Sequence, residues 1–173
     1  MQPRVLIYHA NQCDPKKCTG IRLSRMKKGT ILKNMKQIPP RGVVLNPVSE
    51  VAFSRADRDA ILQSGLIGLD CSWKQAEAIF ANSTLGAQRA LPYLLAANPI
   101  NTYKPIKLST AEAIAAALYI AGFKEQAEDV MSVFKWGSSF ITLNKELLDA
   151  YAECESSTKV VEVQKEFMDT QTR

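Results

Sequence analysis

The chain has 173 residues, 46% hydrophobic and 23% charged, a composition of folded globular proteins that excludes the disordered and fibrous classes. Its longest apolar run, Ala113 to Phe123, stops short of the roughly 18–20 residues that a membrane span needs. The charge is uneven: residues 1–60 carry 12 Lys+Arg against 4 Asp+Glu, and residues 61–173 carry 10 against 13. A basic first third on a slightly acidic body points to a polyanionic partner, and the absence of any acid between Lys16 and Arg41 favours RNA. Met1-Gln-Pro-Arg leads into a strand-like run with no apolar leader, so a cytoplasmic protein is expected. Of the four cysteines, only Cys13 and Cys18 are close, as C-x4-C, and the single His9 does not complete a zinc pattern. No metal is expected, and the thiols are read as reduced.

In chain order, Val5-Leu-Ile-Tyr-His9 is a continuous apolar run suited to a strand buried on both faces. A turn-rich loop follows, and Thr19-Gly20 opens a short helix through Arg25, where a hydroxyl and a helix-start N–H together suit a carboxylate or phosphate. Lys27-Lys28-Gly29 turns into a second strand at Thr30, Ile38-Pro-Pro-Arg41 is a rigid connector, and Val43-Val-Leu45 is a third strand cut by Pro47. Ser54 caps a helix from Arg55 to Gln63, with Gly65 as its stop.

Leu66-Ile-Gly-Leu-Asp70 reads as a buried strand ending on an acid, and Ser72 caps a helix from Trp73 to Ala81. The carboxyl end of such a strand faces the crevice where α/β proteins bind ligands. Trp73 and Ala76 share one helix face, and a flat ring beside a small residue makes a slot next to Asp70. Tyr93 to Ala97 is expected to be a strand, with Asn98-Pro99 a turn at the sheet's rim. Ser109-Thr-Ala-Glu112 matches the S/T-x-x-E capping box of a helix that is apolar all round through Ile120. Further helices are expected at Glu125–Phe134, Ser138–Glu153 and Lys159–Met168. The expected architecture is α/β: a mixed-sheet, RNA-facing N-terminal lobe over residues 1–92, and a mainly helical region over 93–173 that completes the site. No dinucleotide fingerprint, phosphate loop, zinc-protease motif or nucleophile elbow is present.

Six stretches in order carry a family resemblance: Cys13-Asp-Pro-Lys-Lys-Cys-Thr-Gly20, Gly68-Leu-Asp-Cys-Ser-Trp73, Arg89-Ala-Leu-Pro92, Ala96-Ala-Asn-Pro-Ile-Asn101, Lys107-Leu-Ser-Thr-Ala-Glu-Ala113 and Phe134-Lys-Trp-Gly137. Together they resemble the small-subunit ribosomal RNA aminocarboxypropyltransferases of archaea and eukaryotes, over about residues 4–155. The resemblance implies a SPOUT-like fold with a trefoil knot in the C-terminal region. It also implies S-adenosylmethionine as donor, and transfer of its 3-amino-3-carboxypropyl group to N3 of a pseudouridine, often N1-methylated. By the same resemblance Thr19 and Thr110 grip the donor's carboxylate, and Trp73 and Ala76 enclose its methyl. Leu45, Pro47, Leu91, Leu108 and Ala113 wall the adenine, the backbone of Leu91 and Ile106 reads its edge, and the Leu69 carbonyl takes the ribose.

Burying the methyl while presenting the propyl γ-carbon to the base selects the transferred group by geometry. The indole face near a cationic sulfur adds about 0.5–2 kcal/mol of binding. Asp70 is the candidate general base for the N3 proton, although a carboxylate is weak for so poor an acid, which leaves an electrostatic role open. Lys16, Lys17, Arg22, Arg25, Lys27 and Lys28, with Arg89 and Lys135, are the candidate phosphate contacts. The expected partner is small-subunit rRNA or a pre-ribosomal particle, with neither membrane nor DNA, and a monomer is as compatible with the apolar helix as a dimer. Two alternatives stay open: an rRNA methyltransferase of the same fold, and an rRNA-binding assembly factor without catalysis.

Overall fold

The computed structural model describes residues 1–9, 18–70, 86–103 and 107–171. Five strands form one sheet: β1 (Val5–His9), β2 (Thr30–Leu32), β3 (Val43–Leu45), β4 (Leu66–Asp70) and β5 (Ala87–Arg89), in the order β2-β1-β4-β3-β5. Every strand pair is parallel, so the expected mixed sheet is corrected to a parallel one. The reason is in the connections. Each strand is followed by a crossover rather than a hairpin, and a parallel pair requires that. The β1–β4 pair runs in full register from Val5–Leu66 to His9–Asp70, so both central strands end at the same edge.

The described residues hold seven α-helices: α1 (Thr19–Arg25), α2 (Arg58–Ser64), α3 (Thr110–Ile120), α4 (Lys124–Met131), α5 (Gly137–Leu143), α6 (Lys145–Glu153) and α7 (Ser157–Gln171). The capping box begins α3 as expected, with Ser109 Oγ accepting the Glu112 N–H and Glu112 Oε1 accepting the Ser109 N–H. Ile114, Leu118 and Ile120 are fully buried, each stabilising the fold by about 1.5–3 kcal/mol. Gly68 lets this helix close on β4: a Cβ there would stand 2.9 Å from Ile114 Cδ1. The helix expected from Ser54 begins as a 3-10 turn, Arg55–Asp57, before α2, and Gly65 ends it at φ 103°.

Two other expectations are corrected. Residues 93–97 do not form a strand, because their backbone groups bond to side chains of the C-terminal helices. The Tyr93 N–H donates to Gln164, the Leu95 N–H to Asn144 Oδ1, and the Ala97 N–H to Glu112 Oε2, while Leu95 O accepts from Asn144 Nδ2. The single helix expected over 138–153 is two, α5 and α6, parted at Asn144. That residue is fully buried, and its side-chain amide substitutes for a strand neighbour to Leu95. The helix expected from Trp73 to Ala81 lies outside the described residues.

Candidate active site

The carboxyl edge of the sheet brings together the ends of β1 and β4 and the starts of α1 and α3. Thr19 is the first residue of α1 and Thr110 the first of α3. Thr19 Oγ1 accepts the Ala111 N–H at 3.1 Å, which ties the two helix starts to each other. First-turn N–H groups have no acceptor within their own helix, so this junction presents positive dipole ends and donors to an anionic group. Both threonines are half-buried.

Asp70 ends β4 beside this junction. Its Oδ2 accepts the Cys18 thiol proton and stands 3.8 Å from His9 Nε2. The pairing follows from register, since His9 and Asp70 are cross-strand partners. Gly20 makes room: a Cβ there would lie 2.9 Å from Asp70 Oδ2. The His9, Cys18 and Asp70 donor atoms lie within 4.8 Å of one another. Sequence reasoning missed Cys18 and treated His9 as an isolated strand residue. The signal was there in two five-residue strands, one ending on a histidine and the other on an acid.

Of the other candidate donor-binding residues, Leu45 is buried, Leu69, Leu91, Leu108 and Ala113 are half-buried, and Pro47 is exposed. Trp73, Ala76 and Ile106 lie outside the described residues. The lip of the site is held by Glu112, a fully buried carboxylate accepting from the Ala97 and Asn98 N–H groups as well as from Ser109. Asn98 Nδ2 bonds both Glu112 Oε1 and the Lys107 carbonyl, so the segment leading to Thr110 is fixed from below.

The candidate RNA contacts divide. Arg22, Arg25, Lys27 and Lys135 are exposed, and Arg22 lies 5.4 Å over the Phe134 ring, which brings α1 against the Phe134-Lys135-Trp136 stretch. Phe134 and Trp136 stack with centroids 5.0 Å apart. Lys28 is paired with Asp129, and Arg89 Nε bonds the buried Asp57 at 3.0 Å, so both charges are matched within the fold. Lys16 and Lys17 lie outside the described residues. No helix among the described residues is long and apolar enough to cross a membrane.

Residues 43–168 match the family model described as ribosome biogenesis protein, C-terminal. Residues 3–37 match a model described as a possible Fer4-like domain in RNase L inhibitor. That stretch holds only Cys13 and Cys18, against the four thiolates that hold an iron–sulfur cluster, and Cys18 is bonded to Asp70, so the residues do not fit one. The chain is 48% identical over 166 residues to the 16S rRNA aminocarboxypropyltransferase of Methanocaldococcus jannaschii, covering 96% of each. It is 51% identical over 168 residues to the protein of the same name from Methanothermobacter thermautotrophicus, covering 95% of this chain and 98% of that one. A solved structure, the SAM-dependent rRNA:acp-transferase from Vulcanisaeta distributa, superposes with a TM-score of 0.86 at 39% identity, covering 94% of this chain and 89% of that one. With relatives this similar along nearly its whole length, the chain belongs to the 16S rRNA aminocarboxypropyltransferase family.

Proposed function

We propose that this protein transfers the 3-amino-3-carboxypropyl group of S-adenosylmethionine to N3 of a pseudouridine, N1-methylated or not, in small-subunit rRNA during ribosome biogenesis, releasing 5′-methylthioadenosine. The observation that carries the reading is the meeting of the α1 and α3 starts beside Asp70 at the carboxyl edge of β4. Those donors suit the carboxylate of an amino-acid moiety, and the half-buried apolar residues beside them suit a purine. When bound, S-adenosylmethionine supplies a sulfonium whose three carbons are all open to attack.

In this reading Thr19 and Thr110 hold the carboxylate. Leu45, Pro47, Leu91, Leu108 and Ala113 wall the adenine, Leu91 and Ile106 read its edge through their backbone, and the Leu69 carbonyl takes the ribose. Trp73 and Ala76 cover the methyl and leave the γ-carbon facing the RNA. Asp70 accepts the N3 proton as N3 bonds that carbon, and the carbon–sulfur electron pair stays on sulfur. Residues 1–92 face the rRNA and residues 93–173 complete the donor site. Lys16, Lys17, Arg22, Arg25, Lys27, Lys28 and Lys135 meet phosphates, and Arg89 is the weakest of that set because Asp57 already matches it. A knotted, SPOUT-like course of the C-terminal region belongs to the same reading and rests on the family resemblance alone. A cytoplasmic site of action belongs to the reading too, in keeping with the reduced thiol of Cys154.

The test is the co-product. Incubation with S-adenosylmethionine and small-subunit rRNA that carries the N1-methylated pseudouridine but no aminocarboxypropyl group is expected to release 5′-methylthioadenosine. S-adenosylhomocysteine instead would mean methyl transfer, and neither product, with rRNA still bound, would mean an assembly factor.

A further inference from the structure

We propose that His9 is a positioning residue for the transfer: it orients the Asp70 carboxylate and takes from it the proton that leaves the RNA base. The inference rests on the functional reading above and deepens it. Asp70 alone is a poor acceptor for an imide proton, because a carboxylate holds a proton weakly at neutral pH. Imidazole as a class is the stronger base by roughly two to three pH units, so a proton passed on to it no longer competes with product formation.

The geometry supports such a hand-over. His9 Nε2 and Asp70 Oδ2 are 3.8 Å apart, with side-chain exposures of 7% and 14%, so little water screens them. A separation of this size closes to a hydrogen bond with a small side-chain movement. Strand register fixes the two Cα positions, the Cys18 thiol donates to the same Oδ2, and Gly20 leaves the space that the carboxylate occupies.

Two other charged groups on the packed helices are engaged elsewhere. Among the described residues, β4 sets Asp70 against His9 and the start of α1 sets Cys18 against it, while β2 carries no titratable side chain. Glu112 of α3 is bound to Ala97, Asn98 and Ser109, and Arg22 of α1 lies over Phe134.

The step balances. The N3–H bond breaks toward Asp70 while N3 bonds the γ-carbon, and the carbon–sulfur pair remains on the departing thioether. The proton then moves from the Asp70 carboxyl to His9 Nε2, leaving a carboxylate beside an imidazolium that resets by losing its proton to water.

Two measurements on the full chain decide this. His9 is the only histidine, so imidazole NMR signals report on it alone. The imidazole chemical shifts should differ between wild type and Asp70→Asn, because the carboxylate stands 3.8 Å from Nε2. Unchanged shifts overturn the proposal, and this arm needs no change at His9. In single-turnover transfer, His9→Gln should lose tenfold or more in rate with S-adenosylmethionine affinity retained, and should show a different dependence of rate on pH from wild type. His9→Gln with the wild-type rate and profile overturns the proposal whatever the chemical shifts show. Failure of the functional reading looks different: wild type then transfers no carboxypropyl group at all.

Discussion

The Asn98 side-chain amide donates to Glu112 Oε1 at 2.6 Å, and Glu112 is fully buried at the first turn of α3. One carboxylate thus closes the helix cap and anchors the segment that carries the chain back to Thr110. Its acceptors face N–H groups of Ala97, Asn98 and Ser109 as well, and the positive helix end adds to their pull.

Glu112→Gln keeps the shape of this anchor and turns one acceptor into a donor facing other donors. A loss of about 2–3 kcal/mol is expected, since hydrogen bonds to a buried charged group are among the costlier to break. Chemical denaturation checks the stability. S-adenosylmethionine titration should show weaker binding, because the Thr110 end of the site shifts with the cap.

Asn144→Leu is expected to destabilise the protein by about 2–4 kcal/mol. The change leaves the Leu95 N–H and carbonyl unpaired in the interior, at about 1–3 kcal/mol for each buried group. Asn144→Ala should cost a similar amount, because the loss lies in the unpaired backbone rather than in volume. Thermal unfolding of both variants measures it.

This contact also explains where the sequence was misleading. Four strands, the α3 cap and the break at Gly65 were legible because each is written in a few adjacent residues: an apolar run, a capping box, a glycine. Residues 93–97 look like a strand for the same local reason. Their partners are Gln164, Asn144 and Glu112, whose separation in the chain no local pattern reveals. Within the site, Thr19, Asp70 and Thr110 stood out as strand-end and helix-start residues. The His9–Asp70 pairing needed the β1–β4 register, and the capture of Arg89 by Asp57 needed the β3–β5 pairing that carries Arg89 into the sheet.

Alkaline pH should loosen the fold through its tyrosines. Burial raises Tyr151, whose hydroxyl donates to the Tyr93 carbonyl at 2.9 Å, and burial with the bond to Asp149 raises Tyr119. A group raised in the folded state contributes stability that is whole below its unfolded value, about 10, and is lost as pH climbs toward the folded one. Stability should therefore fall progressively above about pH 10. Tyr151→Phe should flatten that fall at a cost of about 1 kcal/mol at neutral pH. Asp149 is held low first by the Tyr119 hydroxyl and then by Lys145, so its contribution is present above the ordinary carboxylate value and fades in acid. Denaturation midpoints across pH check both limbs.

The exposed basic face should govern rRNA affinity without touching the donor. Arg25→Glu with Lys27→Glu is expected to weaken rRNA binding at least tenfold and to lower the salt slope by about two, one for each lost phosphate contact. Unchanged S-adenosylmethionine affinity would place the effect on RNA. Arg89→Gln should instead show mainly in stability, because its partner Asp57 is buried.

The most direct test of the central claim follows two labels at once. S-adenosylmethionine carrying one isotope on its carboxyl carbon and another on its methyl is offered to the enzyme with small-subunit rRNA that carries N1-methylpseudouridine and no aminocarboxypropyl group. Carboxyl label in the RNA with no methyl label is the expected result, and Asp70→Asn should slow its appearance. Methyl label in the RNA, or neither label when the donor is bound and the rRNA carries N1-methylpseudouridine, would contradict the account.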